Sequence, residues 1–320
     1  MRHAIALGVV AWVLAASAPA AAQNYPDHAV KIVVPSAPAG GYDILGRIVA
    51  DPLSRRFGQS FVVENRPGAG TIVGTKSVVS AAPDGYTLLV GGLSNIIFNA
   101  GLYKNPPYDP LNDLVPVALV MNTSYSLVGS NSLPHGSVAE VIAAAKRNPG
   151  SIRLANAGIG TGQHVVGAAF QIATGVKFLE VPYRGSTLVY PDLLPGRVDL
   201  FVDATAAALP YVKSGQVKGL AILTAKRHPD APQMPTLTES GVKGFEIDSW
   251  IGIFAPAKTP PAIIARLRQE IAASGPEMLP RIANAGGELM DLPPEKTSAM
   301  IKAHSDMWIK AIKDAGITLD

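Results

Sequence analysis

Pro35-Ser36-Ala37-Pro38-Ala39-Gly40-Gly41-Tyr42-Asp43 lies between a short apolar strand and an amphipathic helix, and its reading decides the fold. The preceding Val30-Lys31-Ile32-Val33-Val34 is rich in β-branched residues, and Ile44, Leu45, Ile48, Val49 and Leu53 follow at helical spacing. A helix N-terminus carries unpaired N–H groups and partial positive charge, and glycines ahead of it let a ligand come close to the backbone. The stretch is therefore a candidate anion cradle that needs no lysine or arginine to hold a small carboxylate.

The same pattern of strand, glycine-bearing loop and helix recurs along the chain. Phe61-Val62-Val63-Glu64 runs into Asn65-Arg66-Pro67-Gly68-Ala69-Gly70, with a helix expected from about 72 to 81 and a strand at 86–90. Ser137-Val138-Ala139-Glu140 is a capping box opening a helix that reaches about Arg147. A strand at 152–155 leads to Gly158-Ile159-Gly160-Thr161-Gly162-Gln163-His164 and a helix ending at Gly175. Strands at 178–181 and 198–202 then feed Pro182-Tyr183-Arg184-Gly185-Ser186 and Asp203. Such alternation predicts α/β layers around mainly parallel sheets, with ligands beyond the carboxyl ends of the strands.

Met1-Arg2-His3, the apolar run 5–16 and Ala20-Ala21-Ala22 read as a secretory signal peptide cut after Ala22, which predicts a periplasmic protein. The absence of cysteine excludes disulfides and a lipidated cysteine. The net charge of +3, with no polybasic stripe, does not indicate nucleic acid or an anionic membrane as partner.

Chemistry-bearing motifs of enzymes fail on inspection. Gly92-Leu93-Ser94-Asn95-Ile96 lacks the last glycine of a nucleophile elbow, and Thr75 separates Gly74 from Lys76 where a phosphate loop has them adjacent. His28, His135, His164, His228 and His304 show no metal-ligand spacing. The expectation is a binding protein without catalytic residues, metal or cofactor, an exported hydrolase being the weaker alternative.

Pro-x-x-Pro-x-Gly-Gly-x-Asp at 35–43, Glu64 to Gly70, Pro83-Asp84-Gly85-Tyr86-Thr87-Leu88, Gly158 to His164, Val181 to Ser186 and Ser249-Trp250-Ile251-Gly252 with Ala255-Pro256 occur in register. In this the chain resembles the Bug-type, TctC-like periplasmic solute-binding receptors of tripartite tricarboxylate transporters. Ala39 stands where that family usually has a further glycine, and Tyr42 where a small hydroxyl residue is common.

The resemblance implies two α/β domains joined by crossing strands and closing on a ligand like a hinged clamp, with 24–124 and 247–320 forming one domain and 125–246 the other. A helical tail at 294–314 would pack back on the first domain. The implied ligand is a small carboxylate, aliphatic or aromatic, and Tyr42 favours one with an apolar body. The partner would be membrane permease subunits or, for a sensor module, a signalling kinase; a monomer is the default.

Ala39, Gly40 and Gly41 would present amides from one domain, and Gly160, Thr161 and His164 would answer from the other. Tyr183, Arg184, Gly185 and Ser186 would form a further wall, with Ser94 and Asn95 closing the side. Several of these residues carry a plainer reading as well. Asp43 either faces ligand or caps the first helix. His164 is a ligand contact or a structural imidazole, Arg184 pairs with ligand or packs at the hinge, and Asp203 accepts from ligand or caps the next helix. Asn65 to Gly70 reads as a structural turn.

Overall fold

The computed structural model describes residues 25–314 and 316–319, so the leader and its cleavage after Ala22 lie outside the described residues. β1 (Val30–Val34) runs through the 35–40 loop into α1 (Gly41–Phe57). The helix lays Leu45, Ile48, Val49 and Leu53 on the sheet, all buried, each contributing roughly 1.5–3 kcal/mol. A Cβ at Gly46 would come within 2.9 Å of the Val34 side chain, so the helix seats closely on the strand that precedes it.

β1 sits between β2 (Phe61–Asn65) and β3 (Thr87–Gly92), both parallel to it. The sheet continues antiparallel through β10 (Ser249–Pro256) to β4 (Leu114–Thr123) and ends on β11 (Glu288–Leu289). A second sheet has the order β7 (Leu179–Pro182), β6 (Arg153–Asn156), β8 (Leu200–Ala204), β5 (Tyr125–Ser130), β9 (Val217–Ile222). Its β7–β6–β8 half is parallel and its β8–β5–β9 half antiparallel.

The parallel order expected from the strand–loop–helix alternation thus fills one half of each sheet. The antiparallel halves come from β4, β5 and β10; β5 and β10 are buried on both faces, so no inward–outward alternation betrays them. The chain leaves the first sheet at Thr123, enters the second at Tyr125, and returns at Ser249.

The remaining long helices are α2 (Ile72–Val79), α3 (Val138–Arg147), α4 (Gly162–Thr174), α5 (Thr205–Lys213), α6 (Pro261–Ala273), α7 (Gly275–Asn284) and α8 (Pro294–Asp314). In α3 the Ser137 hydroxyl accepts from the Glu140 N–H, while the Glu140 carboxylate accepts from Gly136 rather than from Ser137. The tail helix α8 folds back on the first sheet, where Trp308 meets Phe98 edge-on at 5.0 Å and His304 Nδ1 accepts from Trp250 Nε1 at 3.1 Å. One apolar cluster runs from Val33, Leu89 and Trp250 of the first lobe to Val165 and Phe170 of the second, so the crossing strands are packed from both sides.

Candidate functional site

The carboxyl ends of β1, β3, β6, β7 and β8 all point to a cleft of about 710 Å³ between the two sheets. Its walls are the loops that follow those strands, together with Thr123, Ser124, Tyr125, Ser249 and Ile251 of the crossings. Of the residues expected from the sequence, Gly40, Gly41, Tyr42, Ser94, Thr161, Tyr183, Arg184, Gly185 and Ser186 line it. Ala39, Asp43, Asn95, Gly160, His164 and Asp203 stand behind the lining.

At the start of α1, Gly40 is the N-cap and has no side chain to satisfy the helix amides. Asp43 reaches back instead, and its Oδ2 accepts from the Ala39 N–H at 2.8 Å and from Arg47 Nε at 2.9 Å. Oδ1 accepts from Asn65 Nδ2 at 2.9 Å. Burial works against the Asp43 charge, but Arg47, the Ala39 amide and Asn65 outweigh it and hold the carboxyl below its usual range. Asp43 therefore fixes the loop from behind. The first intrahelical bond runs from Ile44 N to Gly40 O, which leaves the N–H groups of Gly41, Tyr42 and Asp43 without a partner among the described residues. Ala39 turns the chain into this position with a left-handed φ of 61°.

The second lobe does not mirror this arrangement. In the loop before α4, the Gly160 N–H donates to His164 Nδ1 at 3.4 Å and the Thr161 N–H to Gly158 O at 3.1 Å. Inside the helix the Gly162 N–H donates to Ser94 Oγ of the first lobe at 2.8 Å. The amides expected to answer the first cradle are thus already bonded within the protein. His164, with Glu180 Oε2 at 3.5 Å from its Nε2, props the Gly160 turn from the side away from the cleft. Asn95 is fully buried and structural: it accepts from Gly92 N and donates to Thr75 and Val90.

Tyr42 and Tyr125 bracket the Ser94 contact. The Tyr42 hydroxyl accepts from Ser94 N at 3.3 Å, and burial raises its phenol well above the usual value. Burial pushes the Tyr125 phenol, beside Ser94 and Ser249, up to about 12. A Cβ on Gly162 would lie 2.0 Å from the Tyr125 oxygen, so only glycine allows α4 to start this close to the crossing strand.

Asp203 is fully buried inside β8. Its Oδ2 accepts from Tyr190 OH at 2.9 Å, and its Oδ1 from Ala204 N at 2.8 Å and Gln163 Nε2 at 3.3 Å. Burial raises its carboxyl to about 6 against the opposing pull of these donors and of Ser186. Ala204, not Asp203, is the N-cap of α5. Arg184 is exposed at the cleft wall, the only charged side chain of the lining, and forms no ion pair among the described residues.

The 66–70 loop, read from sequence as a turn, also forms part of the wall through Pro67, Gly68, Ala69 and Gly70. It meets the second lobe directly: a Cβ on Gly70 would lie 2.6 Å from Ile159 O and 2.9 Å from Gly160 Cα. A second seam joins Ala37 to Gly185, whose Cβ would lie 2.6 Å from that of Ala37. Gln163, Ile159 and the crossing-strand hydroxyls were not expected in the lining. Gln163 stands one residue before His164 in the same quoted loop, and helical geometry decides which of the two faces the cleft.

Two mixed α/β lobes sharing crossing strands, with one cleft between them and a free helix N-terminus in it, define a two-lobed solute-binding receptor. The model of the tripartite tricarboxylate transporter family receptor, TctC, matches residues 45–317. The protein BugT of Bordetella pertussis is 33% identical over 306 residues, covering 95% of this chain and 94% of its own. An R. palustris protein solved with adipate is 34% identical with a TM-score of 0.86, over 92% of this chain and 100% of its own. MatC from Rhodopseudomonas palustris, solved with bound malate, is 27% identical with a TM-score of 0.86, over 90% of this chain and 100% of its own. The chain belongs to the TctC family of tripartite tricarboxylate transporter receptors, which are periplasmic solute-binding proteins.

Proposed function

We propose that the chain captures a small organic carboxylate in the periplasm and delivers it, without turnover, to membrane permease subunits of a tripartite transporter. The observation that carries this reading is the set of three unpartnered amides at the start of α1, of which Gly41 and Tyr42 belong to residues lining a cleft walled by both lobes. Backbone donors at a helix N-terminus favour an anion and avoid burying a formal cation against it. Adipate and malate in the two solved relatives are carboxylates of a size that such a cleft accommodates.

In this reading one carboxylate sits on Gly41, Tyr42 and Asp43 N–H, directly or through water, and Tyr42 borders the ligand's carbon skeleton. Residues 24–124 with 247–320 and residues 125–246 move as two bodies, meeting along the Gly70–Gly160 and Ala37–Gly185 seams when ligand bridges them. The mature protein begins after Ala22 and acts as a monomer.

Thermal unfolding of residues 23–320 against aliphatic and aromatic carboxylates tests the reading. A true ligand at a hundredfold excess over its Kd stabilises the folded state by about 2.7 kcal/mol. No shift with any carboxylate, and none released on denaturing the purified protein, would refute it.

A further inference from the structure

Across the cleft from the amide cradle, the hydrogen-bond directions of the second lobe are set by one buried charge. Asp203 as a carboxylate only accepts, so each polar group touching it must turn a donor inward. Tyr190 OH does so, held in place by stacking on Tyr211 at 3.7 Å between centroids. Ser186 lies close enough to Asp203 to favour its charged form, and its hydroxyl oxygen accepts from Gln163 Nε2 at 3.0 Å. Gln163 Nε2 gives its other hydrogen to Asp203 Oδ1 at 3.3 Å.

Both Gln163 donors are thereby spent on the protein side. Gln163 lines the cleft, and its Oε1 has no partner among the described residues. The amide cannot rotate to exchange its ends without setting a carbonyl oxygen against the Asp203 carboxylate. The two walls are therefore complementary rather than alike: α1 offers donors, and the lobe opposite offers a fixed acceptor.

Building on the carboxylate-receptor reading above, we infer that Gln163 Oε1 is a specificity-determining acceptor, and that the ligand class is a carboxylate that also carries a hydrogen-bond donor, a hydroxyl or an ammonium group. A plain carboxylate of the same length strips water from Gln163 Oε1 without replacing it, the circumstance in which a polar site discriminates most strongly. Asp203, Ser186 and Tyr190 act as positioning residues, holding Gln163 in the orientation that leaves its oxygen open.

The test is calorimetric titration of the mature protein with matched sets: succinate against malate and aspartate, propionate against lactate and alanine, benzoate against 4-hydroxybenzoate. In at least one set the donor-bearing member should bind about tenfold or more tighter than its plain partner. The comparison of hydroxyl with amino members identifies which donor is used. Gln163→Leu should bring the preferred and plain members to within about twofold of each other, the preferred member losing the acceptor and the plain member no longer desolvating it; Gln163→Met serves if the first variant fails to fold. Plain carboxylates that bind as tightly as their donor-bearing partners would overturn this inference and leave the receptor reading standing, as would a preference that survives both variants. Failure of every compound to bind would overturn both.

Discussion

Ala39 carries a left-handed backbone, φ 61°, at the turn that aims the α1 amides. A residue with a Cβ is strained there by about 1–2 kcal/mol, and glycine is not. Ala39→Gly should stabilise the protein by about 1 kcal/mol, part of the relief being offset by the freer unfolded chain. Chemical denaturation that shows no gain would mean that the turn is not strained. Asp203 gives a second expectation, in its pH dependence. Its folded value of about 6 lies above the 3.8 of an unburied aspartate, so the folded state holds the proton more tightly than the unfolded state. Stability contributed by this group therefore falls as pH rises from about 4 to about 6 and is level above that. Asp203→Asn should remove that slope: plotted as wild type minus variant, the melting temperature should drop across this window. A flat difference would contradict the burial assigned to the carboxylate.

At the scale of elements, α1, α3, α4 and α8 were legible because each carries a local signal. α1 has its apolar spacing, α3 its Ser137 cap, α4 ends at a left-handed Gly175, and α8 keeps Ile301, Trp308 and Ile312 on one face. β5 and β10 were harder to see because every residue in them is buried, which erases the alternation by which strands are recognised. The 66–70 loop shows the corresponding limit at the site. Its glycines announce a turn, but what they face is set by Ile159 and Gly160, some ninety residues away, and no local pattern encodes that approach. The same holds for Asp203, whose partners Gln163 and Tyr190 come from separate elements. The seam makes a prediction. A methyl group on Gly70 would sit inside contact distance of the Gly160 backbone, so Gly70→Ala should keep the circular dichroism of the wild type yet weaken ligand binding about tenfold or more, by holding the lobes apart. Unchanged affinity in the folded variant would show that closure does not use this seam.

For the molecule as a whole, two lobes share the passages at Thr123–Tyr125 and Ser249, and the cleft opens where those passages meet the strand ends. This arrangement lets a ligand that touches both walls stabilise the closed form by its differential contacts alone. The donor wall belongs to the first lobe and is built from backbone, which makes it robust to most side-chain changes and vulnerable to bulk at its entrance. Gly40 is that entrance. It has extended backbone angles, φ −77° and ψ 168°, and a Cβ there meets nothing closer than 3.5 Å, so Gly40→Val should fold normally at a cost of no more than about 1 kcal/mol. The most direct test is calorimetric titration of the tightest-binding carboxylate into wild type and Gly40→Val side by side. The α1 cradle predicts a rise in Kd on the order of 10- to 100-fold in a variant whose unfolding midpoint is nearly unchanged. Equal affinity in the folded variant would contradict it.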